Sequence, residues 1–359
     1  MLTAKVIGAG SIGNHLAHAL RTLNVEVTIV DVDKSALERT RTVIYPERYG
    51  SFDTSITLAH PDDVGNQAFD LCVIGTPPDT HVTIASRELS VGHRALLIEK
   101  PLASPGADTL RNFAKLVEQS PTRVLVAYNQ RLKTNTAEFL AQAKSLNLGT
   151  LTSIFGWMRE DWAGILKAHP WLSDATESYL GHTSRGGGAL YEHSHAVDFA
   201  LFIAHALGQG RPETVEATLD TVDHDSGSYD KEAKLSITTT SGIRVTVSQD
   251  LYTWPADKSL EAVFTGGELR WEMHGDYDRV HVTTPESGTF VTNFPKTRPD
   301  DFLPEMAHVI DLLTSEDDTV SPLDFSEALH TSWALEAALT SHATGSPVSI
   351  QDLWGSGGV

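Results

Sequence analysis

Lys5-Val6-Ile7-Gly8-Ala9-Gly10-Ser11-Ile12-Gly13-Asn14-His15-Leu16 opens the chain with three glycines spaced GxGxxG. Apolar Val6 and Ile7 lead into the turn as a strand, and Ile12, Leu16, Ala19 and Leu20 leave it at helical spacing. A second apolar run, Val25 to Val30, ends at Asp31. Strand, tight turn, helix and a second strand ending in a carboxylate are the opening of a parallel α/β sheet. Gly8 permits the sharp turn, Gly10 lets a diphosphate reach the main chain, and Gly13 lets helix and strand close on each other.

In that context the fingerprint predicts a dinucleotide site. The helix start, with Ser11 and Ile12, offers unpaired N–H groups and the positive end of the dipole to phosphates. Asp31 is placed to accept hydrogen bonds from the adenosine ribose hydroxyls. It would repel the additional phosphate of NADP, so NAD is the expected cofactor. Asp33 and Lys34 follow closely, but Asp31 is the residue that closes the strand.

The 359 residues are enough for two domains, and 40% of them are hydrophobic. A formal net charge of -20 disfavours nucleic acid and anionic membranes as partners. Cys72 is the only cysteine, so no intrachain disulfide can form. The chain runs almost at once into its first strand, leaving no room for a signal peptide, and no apolar run is long enough to span a membrane. A cytoplasmic protein is expected.

Residues 1–126 read as a Rossmann domain of alternating strands and helices. Lys34 to Thr42 are expected as a short helix. Phe69 to Ile74 and Ala95 to Ile98 are near-continuous apolar runs, the pattern of strands buried on both faces. Each ends in a candidate loop at a strand's carboxyl end, where open α/β sheets bind ligands. The first loop carries Thr76, Pro77 and His81, and the second Glu99 and Lys100. Arg123 to Ala127 leads likewise to Asn129 and Arg131. Thr76, Pro77, His81, Glu99, Lys100 and Asn129 are therefore cofactor-side candidates.

Residues 127–359 read as a second, α+β domain. Aromatic residues from Trp157 to Tyr179, among them Trp171, suggest either a substrate lining or a packed cover. Residues 189–207 are predicted as one helix after Gly186-Gly187-Gly188. Short alternating strands between 213 and 283 predict a largely antiparallel sheet. Helices at 301–315 and 325–343 close the chain, with the last helices free to return to the first domain.

The chemistry concentrates on Lys100, Arg131, Glu192 and His195. Glu192, His195 and Asp198 fall three apart, which on one helix aligns them as an orienting network. Oxidising an alcohol needs a hydride acceptor and a base. A free imidazole titrates at about 6.5, suited to that exchange. Lys100 can stabilise a developing alkoxide or act as the base itself; the residues leave open which of the two takes the proton. Glu192 would bind substrate hydroxyls or orient His195. No HExxH or Cys/His spacing is present, so no catalytic metal is expected.

Five motifs then carry a resemblance over nearly the whole chain: GAGSIG at 8–13, CVIGTPPDTH at 72–81, EKPL at 99–102, YNQR at 128–131 and GGGALYEHSHAVDF at 186–199. The chain resembles the glucose–fructose oxidoreductase, inositol dehydrogenase and rhizopine-catabolism (Gfo/Idh/MocA) family of NAD(P)-dependent oxidoreductases. The resemblance implies a Rossmann domain followed by an α+β domain with a large open, mostly antiparallel sheet, which often makes the contact of a homodimer or homotetramer. It implies oxidation of ring hydroxyls of sugars, polyols or inositols, or the reverse. It matches Lys100 to the family's EKP lysine and His195 to its catalytic histidine. Glu192, Arg131, Tyr179 and Trp171 are the residues expected toward a small-molecule substrate.

The commoner family pattern has an aspartate four residues before that histidine. Here Tyr191 holds that offset and the acid is Glu192, as in a GGGxxxExSHxxD branch that also carries an HPW segment, here His169-Pro170-Trp171. Two alternatives stand beside the dehydrogenase. One is a glycosidase-like enzyme that uses tightly bound NAD transiently. The other is a non-catalytic dinucleotide-binding sensor, for which Lys100, Glu192 and His195 would be superfluous.

Overall fold

The computed structural model describes residues 1–167, 172–315 and 319–354. The chain divides into two compact units. The first comprises 1–103, 109–129 and 299–325, and the second 104–108, 130–298 and 326–359.

In the first unit, β1 (Thr3–Ile7), β2 (Glu26–Val30), β3 (Thr57–Ala59), β4 (Leu71–Ile74), β5 (Ala95–Ile98) and β6 (Arg123–Val126) form a parallel sheet. Its order, β3-β2-β1-β4-β5-β6, is that of the doubly wound nucleotide-binding fold. The direction of winding reverses between β1 and β4, so the loops that follow them flank one crevice. Every residue of β4 and β5 is buried, as their unbroken apolar runs require.

Helix α1 (Ser11–Thr22) buries Leu16, Ala17 and Leu20. The single helix expected over 34–42 instead ends at Arg39 and runs into a π-turn, with another short helix beyond. Helix α2 (Lys34–Arg39) is capped by the Asp33 carboxylate on the Ser35 N–H, a π-turn follows over Thr40–Ile44, and α3 (Tyr45–Tyr49) begins with Pro46 in its first turn.

The interior of this unit holds a charged cluster. Glu88, 2% exposed, binds the Lys5 ammonium and, at 2.9 Å, Nε2 of His93. Burial pushes the Glu88 carboxyl up, but His93 and Lys5 outweigh it and hold its pKa at about 2. A carboxylate whose pKa is depressed in the fold adds stability that is fully present above the ordinary value of 4.5 and is lost as pH falls through about 2. Glu88→Gln, which strands the buried ammonium, is expected to cost about 3–5 kcal/mol at neutral pH. Denaturant titrations at pH 7 and pH 3 check it: the gap between variant and parent should narrow in acid.

The second unit is built on a sheet of order β14-β13-β12-β11-β7-β10-β9-β8-β15. The strands are β7 (Leu151–Arg159), β8 (Pro212–His224), β9 (Gly227–Thr239), β10 (Arg244–Asp250), β11 (Asp257–Phe264), β12 (Gly267–Met273), β13 (Tyr277–Thr284), β14 (Gly288–Pro295) and β15 (Val348–Ser349). All neighbours are antiparallel except β7 and β10. Strand β14 was not predicted; nearly all of it is exposed, so no buried alternation announces it. The helix His195–Ala206 covers one face, its Ala200 Cβ close to Gly156 of β7. On the other face Phe155 and Trp157 stack, and the Arg270 guanidinium lies 5.6 Å from the Trp157 ring centroid.

The continuous helix predicted over 189–207 is two helices, Gly188–Glu192 and His195–Ala206. His193 leaves helical geometry at φ -92°, ψ 21°, and the Gln249 side-chain amide of β10 donates to its carbonyl. A tertiary contact thus breaks a stretch whose local composition favours one helix.

Candidate active site

Each glycine of the opening turn meets a distinct demand. Gly8 has φ +109°, and a Cβ there would lie 2.7 Å from the Gly75 carbonyl oxygen. A Cβ on Gly13 would lie 2.0 Å from the Gly8 oxygen, whereas one on Gly10 would meet nothing within 4 Å. Gly8 and Gly13 are therefore packed shut, and Gly10 faces open space. No side chain caps α1 and no acidic residue stands in its first turn, so its end N–H groups and dipole are left for an external anion. Asp31, at the end of β2, accepts the Ala9 N–H at 2.7 Å and the Asp33 N–H at 2.8 Å. This fixes the carboxylate beside the turn. The residues fit an NAD dinucleotide: Gly10, Ser11 and Ile12 would meet its diphosphate and Asp31 its adenosine ribose.

The loops after β4 and β5 are tied to each other by His81. It is fully buried, with Nε2 2.7 Å from the Thr76 carbonyl oxygen and Nδ1 2.9 Å from that of Pro101. Burial holds its pKa down. With both nitrogens facing main-chain carbonyls, His81 joins the two loops to each other. Thr76 itself shares a hydrogen bond with Thr80, 2.7 Å between hydroxyls, and Pro77 is exposed at the loop's tip.

Lys100 follows β5 and is half-buried; its N–H donates to its neighbour Glu99 at 3.1 Å. Behind this segment lies a carboxyl that sequence reasoning did not find. Glu305 of the helix Leu303–Thr314 is 1% exposed, and burial followed by the Glu99 charge raises its pKa well above the ordinary range. Only the fold could reveal it, since more than two hundred residues separate the two glutamates. Asn129 donates to the Asp301 carbonyl at 3.2 Å.

In the second unit, Glu192 ends one short helix and His195 begins the next, both half-buried. The Tyr179 hydroxyl donates to Glu192 Oε2 at 3.0 Å, bringing together two residues expected near substrate. The line of Glu192, His195 and Asp198 does not form. Asp198 is fully buried and receives Arg131 through both Nε, at 2.9 Å, and Nη2, and the Thr331 hydroxyl at 2.8 Å. Arg131 is buried with it. Trp171 lies outside the described residues.

A second buried carboxylate, also missed from sequence, holds the glycine-rich start of this segment. Asp230 of β9 accepts the Leu190 N–H at 2.6 Å and the Thr183 hydroxyl at 3.2 Å, and burial pushes its pKa up to about 7. Gly188, at φ +79°, would put a Cβ 2.1 Å from the Asp230 carboxylate, so this position requires glycine.

The grouping of possible metal ligands found among the described residues is Cys72, Glu88 and His93. The Lys5 ammonium already holds the Glu88 oxygen that His93 faces, so a cation is present there in covalent form.

Taken together, the glycine turn, the carboxylate that closes β2 and the strand order define an NAD-binding Rossmann protein. The NAD-binding Rossmann domain of the GFO/IDH/MocA oxidoreductase family matches residues 2–128, and that family's C-terminal domain matches residues 143–277. The chain belongs to the GFO/IDH/MocA oxidoreductase family, and its cofactor is NAD. None of the curated proteins compared with the chain matches it.

Solved structures share the fold at low identity. An oxidoreductase from Agrobacterium radiobacter, in complex with NAD+, L-tartaric acid and magnesium, has a TM-score of 0.74 at 20% identity, covering 97% of this chain and 98% of its own. Levoglucosan dehydrogenase, in complex with NADH and L-sorbose, has a TM-score of 0.74 at 18% identity, covering 98% and 99%. The WlbA dehydrogenase from Chromobacterium violaceum, with NADH and UDP-GlcNAcA, has a TM-score of 0.71 at 17% identity, covering 97% and 95%. No helix among the described residues is long and apolar enough to cross a membrane.

Proposed function

We propose that this chain is an NAD-dependent dehydrogenase, or reductase, acting on a secondary alcohol of a sugar, polyol or inositol-like substrate. The observation that carries the reading is the joint presence of an NAD site and of a polar set that binding alone does not need. That set is Lys100 after β5, and Glu192, Tyr179 and His195 around the two short helices. When bound, the nicotinamide supplies the hydride acceptor or donor.

The chain's own residues then manage one proton and one negative charge. One of Lys100 and His195 takes the hydroxyl proton, and a charged Lys100 that is not the base stabilises the developing oxygen charge. Glu192, held by the Tyr179 hydroxyl, accepts hydrogen bonds from substrate hydroxyls. Arg131 serves the substrate side by locking Asp198, on the same helix as His195. His195 and Lys100 belong to different units, so each is supported by its own core. The open sheet face around Phe155, Trp157 and Arg270 is the surface through which copies of the chain would form a dimer or tetramer.

The test follows NADH absorbance with purified protein, NAD and then NADP, across polyols, aldoses, sugar acids and inositols under alkaline conditions. Signal growth with one class, faster with NAD, is the expected result. Bound cofactor that is never released as NADH, together with cleavage of a glycoside, would instead establish the transient-redox hydrolase. Binding of NAD with no turnover of either kind would favour the sensor.

A further inference from the structure

We propose that Arg48 is the basic residue of the diphosphate site, holding Ser11 and setting its guanidinium charge beside the phosphates of the bound dinucleotide. This rests on the chain's NAD site and not on the alcohol substrate.

The need is electrostatic. NAD's diphosphate is anionic and the chain has a formal net charge of -20. No lysine or arginine occurs from Val6 to Leu20, and Lys5, just before the turn, is committed to buried Glu88. Helix-end N–H groups carry only about half a charge.

Arg48 comes from 37 residues further along and meets the turn at two atoms. One terminal nitrogen donates to the Ser11 hydroxyl at 2.8 Å, and the other to the Ser11 carbonyl at 3.1 Å. Ser11 is the first residue of α1, so its own N–H is among those left for an anion. One serine side chain and two hydrogen bonds then separate the guanidinium from a phosphate oxygen on that N–H. That is at most roughly 9 Å, comparable with the Debye length of about 10 Å at 0.1 M salt. Arg48 is half-buried, which weakens screening further.

The backbone is built to deliver it. The π-turn over Thr40–Ile44 inserts one residue into what would be a single helix. One extra residue rotates everything after it by about 100°. Such insertions recur at functional sites. Tyr49 then fastens α3 to α1 independently of Arg48. Its hydroxyl lies 2.7 Å from His15 Nδ1, and its ring stacks on His18 with centroids 3.6 Å apart. Arg48 is thus presented by a docked helix and is not needed to dock it.

Arg48→Met and Arg48→Lys test this by titration of NADH fluorescence, with ADP and adenosine as competitors. R48M is expected to weaken NADH and ADP about tenfold and adenosine less than about twofold, with the loss shrinking at high salt. R48K is expected to keep ADP within about threefold of the parent, because the charge persists. Parental NADH affinity in R48M would overturn the proposal. So would equal weakening of ADP and adenosine in both variants, which would mark a displaced helix. If R48M does not fold, R48K decides alone: a loss of about tenfold for ADP overturns the role of charge.

Discussion

Lys100→Ala lowers kcat/KM by about 10³-fold or more while leaving the NADH dissociation constant within a few-fold of the parent; this is the expected result if its charge meets oxygen charge only during reaction. A residue that merely bound cofactor would instead move the dissociation constant and spare kcat. His195→Ala is expected to lose about 10²–10⁴-fold, the range of a positioned acid–base group. The two variants differ in their pH profiles. The one lacking the proton carrier loses a limb of the kcat/KM profile, while the one lacking only charge stabilisation keeps the limb at reduced height. Glu192→Ala should likewise lose turnover far more than NADH affinity. Undiminished turnover in Lys100→Ala and His195→Ala would remove both residues from the proton path and leave the reaction to other groups.

The cofactor half was legible because it is local. Gly8, Gly10, Gly13 and Asp31 lie within 24 consecutive residues, and at Gly8 and Gly13 the backbone leaves no room for a Cβ. Buried strands such as β4 and β5 announce themselves as unbroken apolar runs. The substrate half was legible only as a set of candidates. Spacing of three suggested one face for Glu192, His195 and Asp198, but a side chain from β10 takes the His193 carbonyl and the helix breaks between them. Asp198 then turns to Arg131, 67 residues away, and no periodicity encodes that pairing. Asp230, Glu305 and Arg48 escaped for the same reason. Each acquires its meaning from a partner distant in sequence, on an element whose local pattern reads as ordinary strand or helix.

Asp198→Ala is expected to destabilise the second unit by about 3–5 kcal/mol, the cost of stranding a buried charge. The Arg131 and Asp198 side chains are 3% and 1% exposed, so water cannot replace the lost carboxylate. Thr331 loses its acceptor as well. Asp198→Asn keeps an oxygen for Thr331 and removes only the charge, so it should lose less than alanine but most of the same amount. The paired variant Arg131→Met with Asp198→Leu removes both charges at similar volume and is expected to recover most of the stability. Denaturant midpoints for the parent, Arg131→Met alone, Asp198→Leu alone and the double variant give the coupling directly. The functional consequence separates two roles. Asp198 lies one turn beyond His195 on the same helix, so in the single variants turnover should fall with NADH affinity intact. If the ion pair serves only to hold that helix, the doubly apolar variant regains turnover along with stability. If it regains stability but stays inactive, the guanidinium itself is required on the substrate side, and Arg131 belongs among the substrate-binding residues rather than beneath them.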